Sequence, residues 1–340
     1  MSKQVKVVLD AMGGDYAPKE TVKGAVEALE ASKDIHLILT GKEDEIKKEL
    51  ENYPNYDKNR LEIINATEVI GFNEQPVEAI RGKKDSSLVV GMKLLKKGEA
   101  DAFVSAGSTG AILVGGQLLV GRLKGIERSP LAPLLPTKKG QSLLIDCGAN
   151  VDSKASNLVQ FAQMGSIYMK NIVGIENPKV AIVNVGVEEE KGNKLVKEAF
   201  PLLRECKDIN FVGSVEAKEI PEGNVDVIVC DAFVGNVILK LYEGLGKTFL
   251  GLMKEAIYAN TKSKIGGALI KGSLKESLKN FNVNASDVGG APMLGLKGLV
   301  IKSHGSSDSK EIMNAILQCI AFSENDINTK ISESISVKAE

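Results

Sequence analysis

The sequence predicts an α/β protein, a three-layer α/β/α arrangement about a mainly parallel sheet. Short runs of Val, Ile and Leu alternate along the chain with longer segments of helical spacing. Most of the runs lack polar alternation, so both faces of their strands are buried, as parallel sheets require. Glycine-bearing loops follow several of the runs, where strand-to-helix turns belong.

The elements are expected in this order. A strand over 5–9 runs into Asp10-Ala11-Met12-Gly13-Gly14-Asp15, and Tyr16-Ala17-Pro18 opens a helix over 19–31. Strands follow at 35–39 and 61–64, then a helix over 86–97. A strand over 102–104 leads into Ser105-Ala106-Gly107-Ser108-Thr109-Gly110 and a helix over 109–120. The strand over 143–145 is followed by Asp146-Cys147-Gly148-Ala149-Asn150 and a helix over 154–170. After the strand over 180–185, Lys191 stands early in a helix over 191–204, behind three glutamates that complement its N-terminal dipole. Strands over 209–212 and 225–229 precede Asp231–Asn236 and a helix over 236–259. A last strand over 299–301 reaches Ser303-His304-Gly305-Ser306-Ser307-Asp308 and a helix over 308–325. No repeat or linker composition divides the chain. The expected organisation is one α/β domain over 1–340, with 250–285 as a protruding amphipathic helix pair.

Composition sets outer limits on function. The 340 residues are 43% hydrophobic and 26% charged with a formal net charge of -1, which excludes a disordered chain and argues against a nucleic-acid partner. Cys147, Cys206, Cys230 and Cys319 lie far apart in or beside apolar runs and read as reduced thiols. With only His36 and His304 besides, no metal site is expected. The chain begins without a signal-peptide pattern, and its longest apolar stretch, 111–120, falls short of the about 20 residues that span a bilayer. The expected location is cytoplasmic, with any membrane contact peripheral.

The loops carry the candidate chemistry. Gly107, Ser108, Thr109 and Gly110 at a helix start offer backbone amides, two hydroxyls and the positive end of a dipole to an anion such as phosphate. An ordinary glycine turn reads equally well from that loop alone. Asp10 and Asp15 bracket Gly13 and Gly14; they either contact substrate or shape an Asp-x-x-Gly turn with Asp15 as a cap. Lys191 suits charge developing on a phosphate or thioester oxygen, or is solvated surface. Asn236 is an oxyanion donor or a helix cap. His304 is not explained by capping and is a candidate general acid or base, whereas His36 reads as an ordinary strand histidine. No Gly-x-Ser-x-Gly elbow, Walker loop or dinucleotide fingerprint is present.

Late in the chain, residues 262–281 hold five lysines against the single acid Glu276, a local charge of +4. Ile265, Leu269, Leu274, Leu278 and Phe281 recur at near-helical spacing, interrupted by Gly266-Gly267 and Gly272. Two short amphipathic helices fit this pattern, either on an anionic membrane surface or as a dimerisation hairpin. Arg122, Lys124 and Arg128 form a second basic group, a solvated turn or a docking point for an acidic partner.

Taken together, the runs Val8–Pro18, Ser105–Ala111, Asp146–Asn150 and His304–Asp308 closely resemble the PlsX family of bacterial phosphate acyltransferases. The resemblance extends from the first strand to the final helix. It implies transfer of a fatty acyl group from acyl carrier protein to inorganic phosphate. A downstream membrane glycerol-3-phosphate acyltransferase would then use the acyl phosphate for phospholipid synthesis. It also implies a fold similar to the isocitrate/isopropylmalate dehydrogenases and phosphotransacetylases, a homodimer, peripheral contact of 262–281 with an anionic membrane, and no cofactor. Lys191 and Asn236 match positions the family is thought to use in catalysis, while Asp10, Gly13, Gly14, Asp15, Gly107–Gly110 and Asn150 fall in its substrate loops. Ser108 stands where the family more often has Asn, Val187 where it has Thr, and Ala232-Phe233-Val234 where it has Gly-Phe-Thr. Val187 and Val234 thereby lose a hydroxyl. Three competing readings remain: a phosphotransacetylase acting on coenzyme A thioesters, an NAD-dependent decarboxylating dehydrogenase, and a non-catalytic membrane scaffold. The dehydrogenase lacks an aspartate cluster for Mg²⁺ and an Arg-rich hydroxyacid site.

Overall fold

The computed structural model describes residues 4–277 and 289–336. Its strands are β1 (Val5–Asp10), β2 (Ile35–Gly41), β3 (Leu61–Asn65), β4 (Ala102–Ser105), β5 (Leu134–Thr137), β6 (Gly140–Ile145), β7 (Lys179–Val183), β8 (Asn210–Val215), β9 (Val227–Val229), β10 (Ala291–Met293) and β11 (Leu299–Lys302). The chain divides into two compact units, each with its own mostly parallel sheet and flanking helices. Met1–Pro133, Gln163–Glu176 and Ala285–Glu340 make the first; Leu134–Ala162 and Asn177–Asn284 make the second. The sequence reads as one unit because no linker composition marks the crossings.

In the first unit the strand order is β10-β11-β4-β1-β2-β3, all parallel except β10. β1 is central: Val7, Val8 and Leu9 are fully buried, and Leu9 pairs with Leu39 of β2 and Val104 of β4. β2 and β3 build outward from one side of β1, β4 and β11 from the other. The direction of winding therefore reverses between β1 and β4, and loops leaving the carboxyl ends of these two strands diverge to leave room for a ligand. Those ends are Asp10 and Ser105.

The second unit has the order β5-β6-β9-β7-β8, with β5 and β6 antiparallel and the rest parallel. Leu144, Ala181, Ile228 and Ile238 form its core together with Cys147 and Cys230. The long helix Ala232–Tyr258 is fixed to this sheet at two points. Its Tyr242 hydroxyl donates to the Pro136 carbonyl of β5 at 2.9 Å, and its Gly235 lies directly against the Asp146 carbonyl that follows β6.

Several elements differ from the sequence expectation. β5 and β10 are unforeseen because both are short antiparallel strands that carry a proline, Pro136 and Pro292. Short helices over Glu43–Leu50, Pro76–Gly82 and Ile327–Ser336 add to the expected set. The helix expected from 236 begins at Ala232, capped by Asp231. The late segment forms one continuous helix, Thr261–Ser277, rather than two short ones. It turns back on Ala232–Tyr258 after two residues, and Gly267 packs against Ile257, so glycine serves a helix contact there instead of a break.

A Cβ at Gly235 would collide with the Asp146 carbonyl, a backbone atom that has no room to yield. Gly235→Ala should cost about 3 kcal/mol of stability, the upper end for overpacking, read as a lower urea midpoint at unchanged slope. An unchanged midpoint would show that the helix is free to slide on the sheet.

Candidate active site

In the first unit, three loops meet at the carboxyl ends of β1, β4 and β11. Asp10 is 2% exposed and accepts the Ser105 hydroxyl at 2.7 Å, which joins β1 to β4 across the switch point. The Ser105 hydroxyl oxygen in turn accepts the Gly107 amide at 3.0 Å. Gly13 closes over this pair: a Cβ there would stand 2.5 Å from the Asp10 carboxylate and 2.9 Å from the Gly107 nitrogen. The Asp15 amide donates to the Gly305 carbonyl at 2.7 Å, which brings in the β11 loop. Asp15 and His304 are exposed on this surface. The His304 ring engages the Ser306 hydroxyl through Nδ1 at 2.8 Å.

Asp10 thus shapes the loop, as the turn reading expects. Burial raises its carboxyl above the ordinary 3.8, and hydrogen bonds from Ser87, Ser105 and the Met12 and Gly13 amides partly offset this. Asp15 is not a cap either; Pro18 occupies the N-cap position of Lys19–Ala31. Ser108 caps the helix Thr109–Gly115 by accepting the Ala111 amide, and the Gly107 amide is already engaged. Half-buried Thr109 and Gly110, in the first turn of that helix, keep amides directed away from the helix body.

In the second unit, Asp146 is fully buried after β6 and accepts the Asn150 side-chain amide at 2.7 Å and backbone amide at 2.8 Å. Asn150, itself buried, passes its carbonyl to the Ala232 amide at 3.2 Å, so it ties the β6 loop to the long helix. Asn236 is not a cap, because Asp231 accepts the Val234 amide at 3.0 Å; it lies exposed on the next turn of the helix. Lys191 lies outside a helix, contrary to expectation. Gly192 has φ +108, which ends any helical path, and Asn193 caps Lys194–Glu205 by accepting the Val196 amide. Asn184, at the end of β7, holds this turn by donating to the Lys191 carbonyl at 3.2 Å. The Lys191 ammonium is exposed and pairs with Glu188 at 2.8 Å. That hydrogen bond, with the charges of Glu188, Glu216 and Glu190, holds its pKa above the ordinary 10.5, so it stays cationic.

The sequence missed three positioning residues: Ser105, Asp146 and Asn184. Each is a polar residue that closes or follows an otherwise apolar strand run, which is the one signal that could have found them. All four cysteines are buried. Burial pushes the Cys147 and Cys230 thiols well above their ordinary range, and Cys319 likewise upward. Arg122, Lys124 and Arg128 are exposed in the first unit, and the Arg122 guanidinium donates to the Glu127 carbonyl. Leu278 and Phe281 lie outside the described residues.

The fold is shared with phosphotransacetylases of known structure. A phosphotransacetylase from Streptococcus pyogenes superposes with a TM-score of 0.63 at 20% identity over 95% of each chain. The EutD phosphotransacetylase from Staphylococcus aureus gives 0.60 at 18% identity over 94% of each. At those identities the likeness is one of fold. Sequence comparison is more specific. The family model described as fatty acid synthesis protein matches residues 5–330. The phosphate acyltransferase of Alkaliphilus oremlandii is 53% identical over 98% of both chains, and that of Clostridioides difficile 51% identical over 98% of this chain and 96% of its own. The chain belongs to this fatty acid synthesis family of phosphate acyltransferases.

Asp10 offers a pH test of the loop. Its folded pKa lies above the unfolded 3.8, so its contribution to stability is complete below 3.8 and lost as pH rises through the folded value. Asp10→Asn removes that titration. Urea denaturation should show the stability of the wild type falling relative to Asp10→Asn as pH rises from 3.8 to the folded pKa, then running parallel. Parallel curves throughout would show Asp10 to be solvated.

Proposed function

We propose that this acyltransferase moves a long-chain fatty acyl group from acyl carrier protein to inorganic phosphate, releasing acyl phosphate for lysophosphatidate synthesis. The observation that carries the reading is an exposed, cationic Lys191 together with Cys147, Cys230 and Cys319 thiols that burial keeps protonated. Such a chain has charge to offer a thioester, these three thiols do not attack it, and phosphate is the nucleophile. A phosphate oxygen bonds to the thioester carbonyl carbon, the carbonyl oxygen takes the negative charge, and collapse expels the thiolate of the carrier. Lys191 stabilises the developing charge and Asn236 donates to the carbonyl oxygen. Taken by itself, the first unit offers an anion the Thr109 hydroxyl and the amides of its helix start, with His304 on the same surface as a candidate proton carrier.

The partner surfaces follow from charge and exposure. Arg122, Lys124 and Arg128 suit an acidic carrier protein. Thr261–Ser277 exposes Ile265, Leu269 and Ile270 beside Lys262, Lys264 and Lys271, the composition of a helix that lies on an anionic membrane. Among the described residues, no helix is long and apolar enough to cross one. Leu274 is half-buried and so contributes less to that surface than Leu269. Assembly as a homodimer is part of the same reading.

Lys191→Ala should lower acyl-phosphate formation from long-chain acyl carrier protein by about 10²–10³-fold. Its unfolding transition should be unchanged, since an exposed, solvent-screened ion pair adds little to stability. Near-normal turnover would sink the assignment, and faster turnover with coenzyme A thioesters would favour the phosphotransacetylase reading. Vesicle binding without acyl phosphate from any thioester would leave a scaffold. Separately, Leu269→Glu should abolish co-sedimentation with phosphatidylglycerol vesicles. Retained binding, together with a shift from dimer to monomer, would assign the hairpin to the subunit interface.

A further inference from the structure

The second unit contains a cavity of about 600 Å³ at the carboxyl ends of β7, β8 and β9. Leu158, Ile182 and Ile238 line its buried side, while Val185, Phe233 and Val237 stand 77%, 65% and 53% exposed at its rim. Large apolar side chains left in water at the rim of an apolar cavity are covered when a hydrocarbon enters.

The polar side chains of the lining are already engaged. Asn184 donates to the Lys191 carbonyl and the Ser214 hydroxyl, and Asn193 and Asp231 cap helices. Glu216 and Lys218 pair with each other at 3.0 Å. Cys230 also lines the cavity, and burial keeps its thiol protonated. A polar ligand would have to break these bonds, whereas a hydrocarbon leaves them intact.

Placement and size agree. Gly192 in the lining follows Lys191 directly, and Val237 follows Asn236. At about 30 Å³ for a water-sized group, 600 Å³ takes a chain of at most roughly 20 carbons. An acetyl group would leave nearly all of that volume empty.

We propose that this cavity is the acyl-chain site, holding the hydrocarbon tail of the thioester donor and of the acyl-phosphate product. The proposal rests on the acyl-transfer reading above but is tested apart from it. Half-buried Val196, in the lining, points to the filling variant Val196→Phe; Phe233→Asp places a charge on an exposed rim position that the fold tolerates.

The probe is cis-parinaric acid, a fluorescent long-chain fatty acid. Wild type should bind it with displacement by palmitate and not by butyrate, and each variant should bind at least tenfold more weakly with an unchanged unfolding transition. In acyl-phosphate assays, Val196→Phe should shift preference from palmitoyl toward butyryl donors. Unaltered probe binding in folded Phe233→Asp, or unaltered chain-length preference in Val196→Phe, would overturn the proposal while acyl transfer stood. Loss of probe binding in the variants of a chain that made no acyl phosphate would do the reverse: the hydrocarbon site would stand and the acyl-transfer reading would fall.

Discussion

One buried carboxylate organises the loops of the first unit. Asp10 ends the central strand, gives up hydration, and recovers part of that cost through hydrogen bonds from Ser105 and the Met12 amide. Ser105 ends the neighbouring strand, so a single 2.7 Å contact fixes two loops that would otherwise diverge. Gly13 is then required, because any side chain there would push into the carboxylate. The second unit repeats the device. Asp146 follows a parallel strand, is fully buried, and gathers the Asn150 loop by accepting its amides. In each unit a strand-end aspartate acts inward on the backbone, and the groups that face outward are its neighbours in the loop.

This division explains what the sequence discloses. Strands such as β1 and β6 are legible because burial on both faces writes the aliphatic triplets Val7–Leu9 and Leu143–Ile145. β5 and β10 are not, since a three- or four-residue strand with an internal proline has no periodicity to read. Loop positions are equally legible, because a parallel sheet confines function to one end of its strands. Roles within the loops are not. Asp10, Asn150 and Asn236 are all polar residues after strands, yet two are buried anchors and one is exposed; only the packing of Gly235 against Asp146 and the cap at Asp231 separate them. Helical spacing downstream is indifferent to one glycine, so the sequence alone extends the helix back to Lys191. The positive φ of Gly192 is what ends the turn.

The proposed chemistry depends on charge rather than on a built nucleophile. Buried thiols with raised pKa values do not attack, and the one histidine on the loops is engaged locally with Ser306. Lys191, held cationic by surrounding carboxylates, is fixed through its main chain by Asn184 and through its side chain by Glu188. Its position is therefore set without burying the ammonium, which would lower its pKa. An exposed lysine on a rigid turn is a poor stabiliser of the fold and a ready partner for an anion.

The long helix Ala232–Tyr258 carries exposed apolar side chains from the neighbourhood of Asn236 onward. Phe233, Val237, Leu241, Leu245, Phe249 and Leu252 are all exposed and recur every three or four residues, so they form a stripe that winds part-way around the helix. At 1.5 Å per residue the stripe is about 28 Å long. It starts at the rim of the 600 Å³ cavity and runs toward the turn into Thr261–Ser277. A solvated helix needs no such stripe, and the inward face of this one is already supplied by Ala232, Gly235 and Ile238. Whether a second subunit or lipid covers it, the same apolar surface borders the cavity at one end and the basic hairpin at the other. On the proposed acyl-chain assignment, a hydrocarbon that left the cavity along this helix would keep apolar contact for most of that distance.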